Sequence, residues 1–470
     1  MRSHDLIIVG AGTGNALIDE RFAHLDVALI SEGPFGGTCL NAGCIPSKML
    51  VATADVADAV REAGRHDVDA ELLRIRWPDV HKRVFGRLDA ASKEGEQGRR
   101  GSDNVTVYRG HARFTGERRL RVETEDGPVE IFAEEIVVAA GGRPVIPPVV
   151  ADSGLPYETS DTVMRIEAPP KRLAVLGGGY IAAELAHVFH SAGSQVTVIE
   201  KEDRLLGQQD ETVSAALTEA VRPSWDLRLG RSLTKVSGTA GDLVLTLDDG
   251  KEVRADTLLV AVGRRPNSDL LDLDKAGIDA DGSGRITVDG QLRTSADGVW
   301  ALGDISTPVP LKHVANREAQ VVAHNLLHPG AERTMNYEVV PSAVFTHPQI
   351  AQVGLTEQEA REQGLDYVVA VHRYSDVAYG WALEEKEGFC KVLADRRTGR
   401  LLGAHLLGPQ AATLVQPLVI AMTTGMTARA LAEQPLWIHP ALTEVVENAL
   451  LDLDTEENST AAEGAAAAES

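Results

Sequence analysis

The chain has 470 residues, 43% hydrophobic and 24% charged, which indicates a globular protein of about three or four domains. Its formal net charge of −23 argues against nucleic acid and anionic membranes as partners, because both attract basic surfaces. The first residues resemble no secretion signal, and no stretch approaches the roughly 20 apolar residues of a spanning helix. We therefore expect a cytoplasmic protein.

The first elements predict a dinucleotide-binding unit. The apolar run Leu6–Val9 is typical of a buried parallel strand, and it leads into the glycine-rich turn 10–15. We expect a helix from this turn to about His24, followed by a second strand, Val27–Ile30. The third glycine of the usual fingerprint is replaced by Asn15, so we expect this helix to lie differently on the sheet.

Three residues of this unit are candidates for contacts with a dinucleotide. Gly10 and Gly12 permit a tight turn and bring the backbone close to a pyrophosphate. Glu32 follows the second strand, twenty residues after Gly12, where a carboxylate accepts hydrogen bonds from a ribose.

A pair of cysteines follows this unit. Cys39 and Cys44 lie five positions apart, and Cys390 is the only other thiol in the chain. Next to a dinucleotide fold, such a pair favours a redox-active dithiol. A metal site is disfavoured because no histidine cluster accompanies the pair, and a structural disulfide is disfavoured because nothing indicates secretion.

A second fingerprint of the same kind appears about 167 residues later. The strand Leu173–Leu176 leads into the glycine-rich turn 177–182, a helix to about Ala192 and a strand that ends at Glu200. Both fingerprints have a flanking strand and a closing acid, so the sequence predicts two dinucleotide sites in two domains.

The rest of the chain completes the predicted domain organisation. Another strand, turn and acid occur at 298–304, and from about Val339 the pattern changes to strands and amphipathic helices without a phosphate loop. After Leu453 the chain is rich in acid and alanine, which favours a disordered tail. The predicted boundaries are 1–150 for the first domain, 151–270 for the second, 271–337 for a central segment, 338–453 for a C-terminal domain and 454–470 for the tail.

His439 is the candidate acid and base for the dithiol. Thiol exchange needs a group that both donates and accepts a proton near neutral pH, and Glu444, five residues on, is placed to orient the imidazole. His347 also precedes a proline, but no carboxylate follows it at this spacing, so we interpret it as structural.

Five motifs in this order resemble the flavin-dependent pyridine nucleotide-disulfide oxidoreductases over residues 4 to 453. They are GGTCLNAGCIPSK at 36–48, GGGYIAAE at 177–184, AVGRRPN at 261–267, ALGD at 301–304 and HPALTE at 439–444. The resemblance implies an α/β fold with two Rossmann-like dinucleotide-binding domains, one for FAD and one for NAD, and an α+β C-terminal dimerisation domain.

The resemblance also implies roles for single residues. Cys39 would attack the substrate while Cys44 faces the flavin, and Lys48 would pair with Glu184 beside the flavin. Tyr180 would cover the empty nicotinamide pocket. The implied cofactor-binding residues are Gly10, Gly12, Glu32 at the adenosine ribose, Thr38, Lys48, Ala112 near the adenine, Gly142, Asp304 on the ribityl chain, Gly177, Gly179, Tyr180, Ile181, Glu184, Glu200 and Gly263, and no metal is implied.

Two points about substrates depend on the same resemblance. Segments 10–15, 311–316, 376–382 and 437–441 are most similar to the branch of the family that reduces mycothione, a low-molecular-weight disulfide. The alternative is a dihydrolipoyl dehydrogenase, which runs the same chemistry in the oxidising direction within a multienzyme complex. In either case the resemblance implies a homodimer, in which His439 of one chain meets Cys39 of the other.

The expected nicotinamide cofactor is NADH rather than NADPH. Relatives that use NADPH carry two arginines after the second fingerprint's closing strand, at the positions of Lys201 and Gly207. Here the second arginine is absent, and Glu200 places a negative charge where a 2′-phosphate would lie.

Overall fold

The structure, a computed structural model, describes residues 1–456. Residues 2–151 form a first unit of strands and helices, three of them short 3₁₀ helices: β1 (Arg2–Val9), 3₁₀ (Gly14–Leu17), 3₁₀ (Glu20–Phe22), β2 (Val27–Ser31), α1 (Gly37–Asn41), α2 (Cys44–Arg61), 3₁₀ (Ala63–His66), α3 (Trp77–Arg100), β3 (Val105–Gly116), β4 (Arg119–Thr124), β5 (Gly127–Val138), β6 (Gly142–Pro144) and α4 (Pro148–Ala151).

A second run of elements covers residues 158–266: β7 (Glu158–Thr159), 3₁₀ (Val163–Arg165), β8 (Arg172–Leu176), α5 (Tyr180–Ser191), β9 (Gln195–Glu200), α6 (Glu211–Val221), β10 (Asp226–Leu229), β11 (Leu233–Thr239), β12 (Asp242–Leu247), β13 (Glu252–Ala255), β14 (Thr257–Val260) and β15 (Arg264–Pro266). A third run covers residues 268–327: 3₁₀ (Ser268–Leu270), 3₁₀ (Leu273–Ala276), β16 (Val299–Ala301), 3₁₀ (Gly303–Ile305) and α7 (Lys312–Leu327).

The last run covers residues 342–451: β17 (Ser342–Val344), β18 (Ile350–Gly354), α8 (Glu357–Glu362), β19 (Tyr367–Arg373), 3₁₀ (Tyr374–Asp376), α9 (Ala378–Ala382), β20 (Phe389–Asp395), β21 (Leu401–Leu407), α10 (Ala411–Leu414), α11 (Gln416–Thr424), α12 (Ala428–Glu433) and α13 (Thr443–Leu451). No helix among residues 1–456 has the length and apolar character needed to cross a membrane.

Three main sheets organise these elements. In the first, β3, β2, β1, β5 and β16 lie side by side in parallel, and β4 joins the outer halves of β3 and β5 in antiparallel pairing. The second sheet is parallel with the order β10-β9-β8-β14-β7. The third is antiparallel with the order β17-β18-β21-β20-β19.

The hydrophobic cores explain the sequence pattern. Leu6–Val9 in β1 and Leu173–Leu176 in β8 are buried at every position, as expected for strands of parallel sheets covered on both faces. The expected α/β architecture is confirmed: two mainly parallel sheets each contain an inner strand, β1 or β8, that leads into a glycine-rich turn. β16, from the third run, completes the first sheet by pairing with β5.

The prediction of one helix from the first glycine-rich turn to about His24 is wrong. The structure has two short 3₁₀ helices there, because the chain turns extended at Ile18 and the Asp19 side chain caps the second one. Arg99 holds this arrangement: its guanidinium donates to the side-chain and backbone oxygens of Asn15 and to the Ile18 carbonyl. Close packing on the sheet falls instead to Gly14, where a Cβ would lie 2.9 Å from side-chain atoms of Ala139 and Ile8.

The predicted disordered tail begins in residues that are ordered. Thr455 is buried, and the Glu456 N–H donates to the Arg396 carbonyl. Residues 457–470, which contain the rest of that predicted tail, lie outside the described part of the chain.

Candidate active site

Cys39 and Cys44 form a disulfide on one wall of a large cavity. Cys39 lies in the short helix α1 and Cys44 is the first residue of α2, with 4.8 Å between their Cα atoms. Buried Asn41 stabilises the turn between them, because its side-chain amide donates hydrogen bonds to the carbonyl oxygens of Phe35 and Gly37. The pair predicted to be a redox dithiol is therefore held by its own local loop.

The cavity has a volume of about 580 Å³ and extends from the first glycine-rich turn past the disulfide. Gly10 and Gly12 line it together with Thr38. Gly10 has φ +115°, and a Cβ there would lie 2.2 Å from the Ala139 carbonyl oxygen. Gly177 in the second turn has φ +112° and the same kind of neighbour, the Ala261 carbonyl oxygen at 2.4 Å. The two fingerprints thus share one backbone geometry.

Glu32 and Ala112 lie together along this cavity. The Glu32 carboxylate is exposed and pairs with His111 Nδ1 at 2.9 Å, while His111 Nε2 lies 2.9 Å from the Leu270 carbonyl oxygen. Ala112 is buried beside them in β3. A carboxylate held in this way is placed to accept hydrogen bonds from hydroxyl groups of a ligand.

Asp304 lines the same cavity from the 3₁₀ helix after β16. Burial raises the pKa of its carboxyl group, and the nearby cations Arg264 and Lys312 partly offset this increase. Asp304 forms no ion pair among residues 1–456. A polar ligand with hydroxyl groups would satisfy this carboxylate.

Lys48 links three parts of the fold. Its Nζ lies 2.7 and 2.6 Å from the two carboxylate oxygens of Glu184 in α5. Glu184 is buried and also accepts the backbone N–H of Phe345 at 3.0 Å, and the Lys48 ammonium lies 4.7 Å from the centre of the Phe345 ring. The structure therefore brings Lys48 and Glu184 together as predicted. The contacts of both residues with Phe345 were not predictable from the sequence.

The second glycine-rich turn approaches the same cavity through the start of α5. Tyr180 and Ile181 line the cavity, and Tyr180 is 45% exposed. Gly179 precedes the helix, while Glu200 ends β9 and accepts the Glu202 N–H at 2.9 Å. A Cβ on Gly178 would lie 2.8 Å from Glu200 Cγ, so the turn and the acid are in contact.

A short two-stranded link, β6 with β15, carries Gly142 and stands next to Gly263. Arg264 lies in this link, and its guanidinium donates to the Gly142 carbonyl at 2.7 Å and to Asp161 at 2.8 Å. Arg264 and Asp161 both line the cavity, and sequence reasoning missed them. Arg264 belongs to the AVGRRPN motif, so the sequence carried a signal for this residue. No motif contains its partner Asp161.

His439 and Glu444 form the expected pair, with His439 in the segment before α13 and Glu444 in the first turn of that helix. His439 Nδ1 donates to a Glu444 carboxylate oxygen at 2.7 Å, and the other oxygen accepts the Ala441 N–H at 3.2 Å. This hydrogen bond from His439 lowers the pKa of the Glu444 carboxyl against the opposing effect of burial. The His439 side chain is 73% exposed, and it does not line the cavity of the disulfide within one chain.

His347, interpreted from the sequence as structural, has a carboxylate partner from a distant part of the chain. Its Nε2 lies 3.2 Å from Glu62 Oε1, and its ring stacks near that of His187. Among residues 1–456 there is no cluster of histidine, cysteine and acidic side chains that would hold a metal ion.

Comparisons with known proteins agree with this geometry. Residues 4–319 match the family model of the pyridine nucleotide-disulphide oxidoreductases. The chain belongs to the pyridine nucleotide-disulphide oxidoreductase family. Residues 340–450 match the dimerisation domain of the same family. The resemblance stated from the five motifs is thereby confirmed, and the protein is a flavin-dependent, NAD(P)H-dependent disulfide reductase.

Individual relatives cover nearly the whole chain. A mycothione reductase from Mycobacterium tuberculosis (strain CDC 1551 / Oshkosh) is 49% identical over 460 residues, covering 96% of this chain and 100% of that protein. A dihydrolipoyl dehydrogenase from Chlamydia muridarum (strain MoPn / Nigg) is 32% identical over 462 residues, covering 96% and 97%. The solved structure of the HOCl-induced flavoprotein disulfide reductase RclA from Escherichia coli, as a Cu(II) complex, has a TM-score of 0.86 at 27% identity, covering 96% of this chain and 99% of that one.

The residues that line the cavity fit FAD. The close-packed turn at Gly10 and Gly12 suits a pyrophosphate, and the exposed Glu32 carboxylate and the unpaired Asp304 carboxylate suit ribose and ribityl hydroxyls at two separate places. Bound there, FAD supplies the transfer of an electron pair between NAD(P)H and a disulfide. The chain itself contributes the binding groups, the dithiol and the imidazole.

Proposed function

We propose that this protein reduces mycothione, using electrons from NADH. The observation that carries the proposal is the redox-active Cys39–Cys44 disulfide on the cavity wall, in a chain 49% identical to a mycothione reductase over 96% of its length. The dihydrolipoyl dehydrogenases, at 30 to 33%, are less similar. We further propose that residues 1–150 and 271–337 bind FAD, residues 151–270 bind the nicotinamide nucleotide, and residues 338–453 form the dimer interface.

The proposed thiol chemistry starts from the reduced pair. The Cys39 thiolate attacks one sulfur of mycothione, so that the substrate S–S bond breaks and a mixed disulfide forms. The departing thiolate takes a proton from the His439 imidazolium, which Glu444 holds in place. The Cys44 thiolate then attacks the Cys39 sulfur, which restores the Cys39–Cys44 disulfide and releases the second product as a thiolate that takes a proton from solvent.

The substrate is tested by an NAD(P)H oxidation assay with mycothione and lipoamide side by side. We expect rapid turnover of mycothione and slow turnover of lipoamide. Rapid lipoamide turnover without mycothione turnover would reverse the ranking in favour of a dihydrolipoyl dehydrogenase.

We propose that the active site is completed by a second copy of the chain. Two facts support this: the His439–Glu444 pair is exposed and lies apart from the cavity, and the segment before it exposes Leu436 fully and Ile438 to 74%. Exposed aliphatic side chains of this size are typical of surfaces that a partner covers. The matched dimerisation domain, residues 340–450, contains this segment.

A mixing experiment tests the shared site. A Cys39→Ser chain and a His439→Gln chain should each retain at most about 1% of the wild-type activity alone, but a mixed dimer contains one site with both groups intact. After subunit exchange at equal amounts, about a quarter of wild-type activity should return, because half of the dimers are mixed and each has one good site of two. If both groups acted within one chain, mixing would restore nothing.

The preference for NADH is argued from the surroundings of Glu200. The carboxylate ends β9 beside the second glycine-rich turn, and the nearby cations are engaged, Lys201 with Glu202 at 3.5 Å and Arg204 with Glu211 at 3.5 Å. Gly207 has open space around its Cα, with no neighbouring atom within 4 Å of the position that a Cβ would occupy. A 2′-phosphate would therefore meet a carboxylate and no free cation.

Steady-state kinetics with both nucleotides test this preference. Wild-type protein should show a lower KM for NADH than for NADPH. The double variant Glu200→Ala, Gly207→Arg should raise the NADPH to NADH ratio of kcat/KM by about 10-fold or more, the size expected for gaining one charge-assisted hydrogen bond. A lower KM of the wild type for NADPH would refute the proposal.

A further inference from the structure

Lys312 is a cation in the cavity that the described chain leaves without a counter-charge. It is the first residue of α7, and its Nζ donates to the hydroxyl oxygen of Thr13 at 2.8 Å. Both residues line the cavity, although they lie 299 positions apart in the sequence. No carboxylate of residues 1–456 lies within ion-pair distance of Lys312. Burial lowers the pKa of its ammonium, and the more distant Asp304 only partly offsets this.

The other enclosed lysines of the fold are paired. Lys48, in the same cavity, contacts both carboxylate oxygens of Glu184. Lys391, which is almost fully buried, contacts Asp210 at 2.8 Å and Glu357 at 2.7 Å. An ammonium that leaves water without a partner is costly, so Lys312 needs an anion that the chain itself does not provide.

The position of Thr13 identifies that anion. Thr13 belongs to the glycine-rich turn that receives a pyrophosphate, and in the usual arrangement a long helix follows this turn and contributes its positive end. Here only the four-residue 3₁₀ helix Gly14–Leu17 follows, so little helix dipole is available. The nearby Arg99 does not replace it, because its guanidinium is bound to Asn15 and Ile18 and does not line the cavity.

We propose that Lys312 is a ligand of the FAD pyrophosphate, supplying the positive charge that the interrupted helix does not. The replacement of the third fingerprint glycine by Asn15 and the lysine at the start of α7 are then two parts of one arrangement. The proposal rests on FAD being the cofactor, as the family assignment states, and concerns a residue to which no motif assigned a role.

The test is the rate of FAD release from the holoprotein, followed by the recovery of flavin fluorescence. Lys312→Met should release FAD about 10- to 100-fold faster than the wild type, as expected for losing a hydrogen bond to a charged group. Raising the salt concentration should accelerate release from the wild type more than from Lys312→Met. Lys312→Arg, which keeps the charge, should retain most of the affinity. Lys251→Met, an exposed lysine paired with Asp249, is the matched control and should release FAD at the wild-type rate.

Two further results separate this proposal from its alternatives. The flavin midpoint potential of Lys312→Met should equal that of the wild type, since the pyrophosphate is remote from the redox-active ring. A shifted potential with unchanged FAD release would place Lys312 at the ring and overturn the proposal, as would equal release from Lys312→Met and the wild type. Wild-type protein that purifies without FAD and does not bind it would refute the cofactor assignment itself, and this proposal with it.

Discussion

The two halves of the candidate active site are held in different ways. The disulfide half lies in a cavity whose walls come from distant parts of one chain, and Lys48, Glu184 and Phe345 connect those parts. The imidazole half consists of an exposed histidine, His439, that Glu444 in the first turn of the following helix α13 orients. The disulfide half is thus complete within one chain. The imidazole half is an oriented side chain that lies apart from the cavity of its own chain. This difference is what a site shared between two subunits requires, and each half is open to a separate test.

The largest effect is expected at the disulfide half. Cys39→Ser should lower disulfide reduction by about a thousandfold or more, because a hydroxyl cannot replace the attacking thiolate, while FAD remains bound. The measurement is NADH-dependent turnover of mycothione together with the flavin absorbance spectrum. Cys390→Ala is the control: burial raises the pKa of that thiol to about 12, so it is inert, and activity should persist. Retained turnover in Cys39→Ser would refute the assigned role.

The next largest effect is expected at the imidazole half. His439→Gln should slow mycothione turnover by about 100- to 10,000-fold, the usual contribution of a general acid. Flavin reduction by NADH, measured by stopped-flow absorbance, should be unchanged because it needs only the other half. His347→Gln is the matched control, since His347 also precedes a proline but pairs with Glu62 away from the cysteines. If His439→Gln also slowed flavin reduction, the division into two halves would be wrong.

A smaller effect is expected when the imidazole loses its orienting group. Glu444→Gln should lower turnover by about 10- to 100-fold, the range for a hydrogen bond to a charged group. The His439 hydrogen bond holds the pKa of Glu444 below its ordinary value near 4.5, so the carboxylate contributes above that value and is lost only as pH falls through the lowered pKa. The ratio of wild-type to variant turnover should therefore stay constant from about pH 8 to pH 5. Glu447→Gln, one turn further along the helix, should leave turnover near the wild-type level.

The smallest effect is expected from loosening the framework of the disulfide half. Glu184→Gln removes the charge that Lys48 and the Phe345 N–H share, but the Lys48 side chain is 35% exposed, so solvent screens much of the loss. We expect a stability loss of about 1 kcal/mol, seen as a decrease of a few degrees in the melting temperature of the holoprotein. Glu219→Gln, an exposed acid paired with Arg222, should leave the melting temperature unchanged. An equally large decrease in the melting temperature of Glu219→Gln would show that the contacts of Glu184 stabilise the protein no more than an exposed ion pair does.

Much of the fold and site was predictable because its signals are local. The buried strands at Leu6–Val9 and Leu173–Leu176 show as unbroken apolar runs, and α5 ends within one residue of its predicted limit, although it begins at Tyr180, inside the predicted turn. The spacing of five residues from His439 to Glu444 is short enough for one turn and a helix start to bring the pair together. The helix after the first turn was mispredicted because Arg99, 84 residues away, binds Asn15.

The sequence by itself determined the chemistry of this protein: two dinucleotide fingerprints, the cysteine pair Cys39 and Cys44 five positions apart, and His439 with the carboxylate of Glu444. Each of these depends on neighbours along the chain, whose geometry the backbone fixes. Only the tertiary structure decided how the parts are joined, through the contact of Lys312 with Thr13 and of Glu184 with Phe345, and that Lys312 has no carboxylate partner among the described residues. Pairings across hundreds of residues follow from how the sheets pack against one another, and no local pattern encodes them.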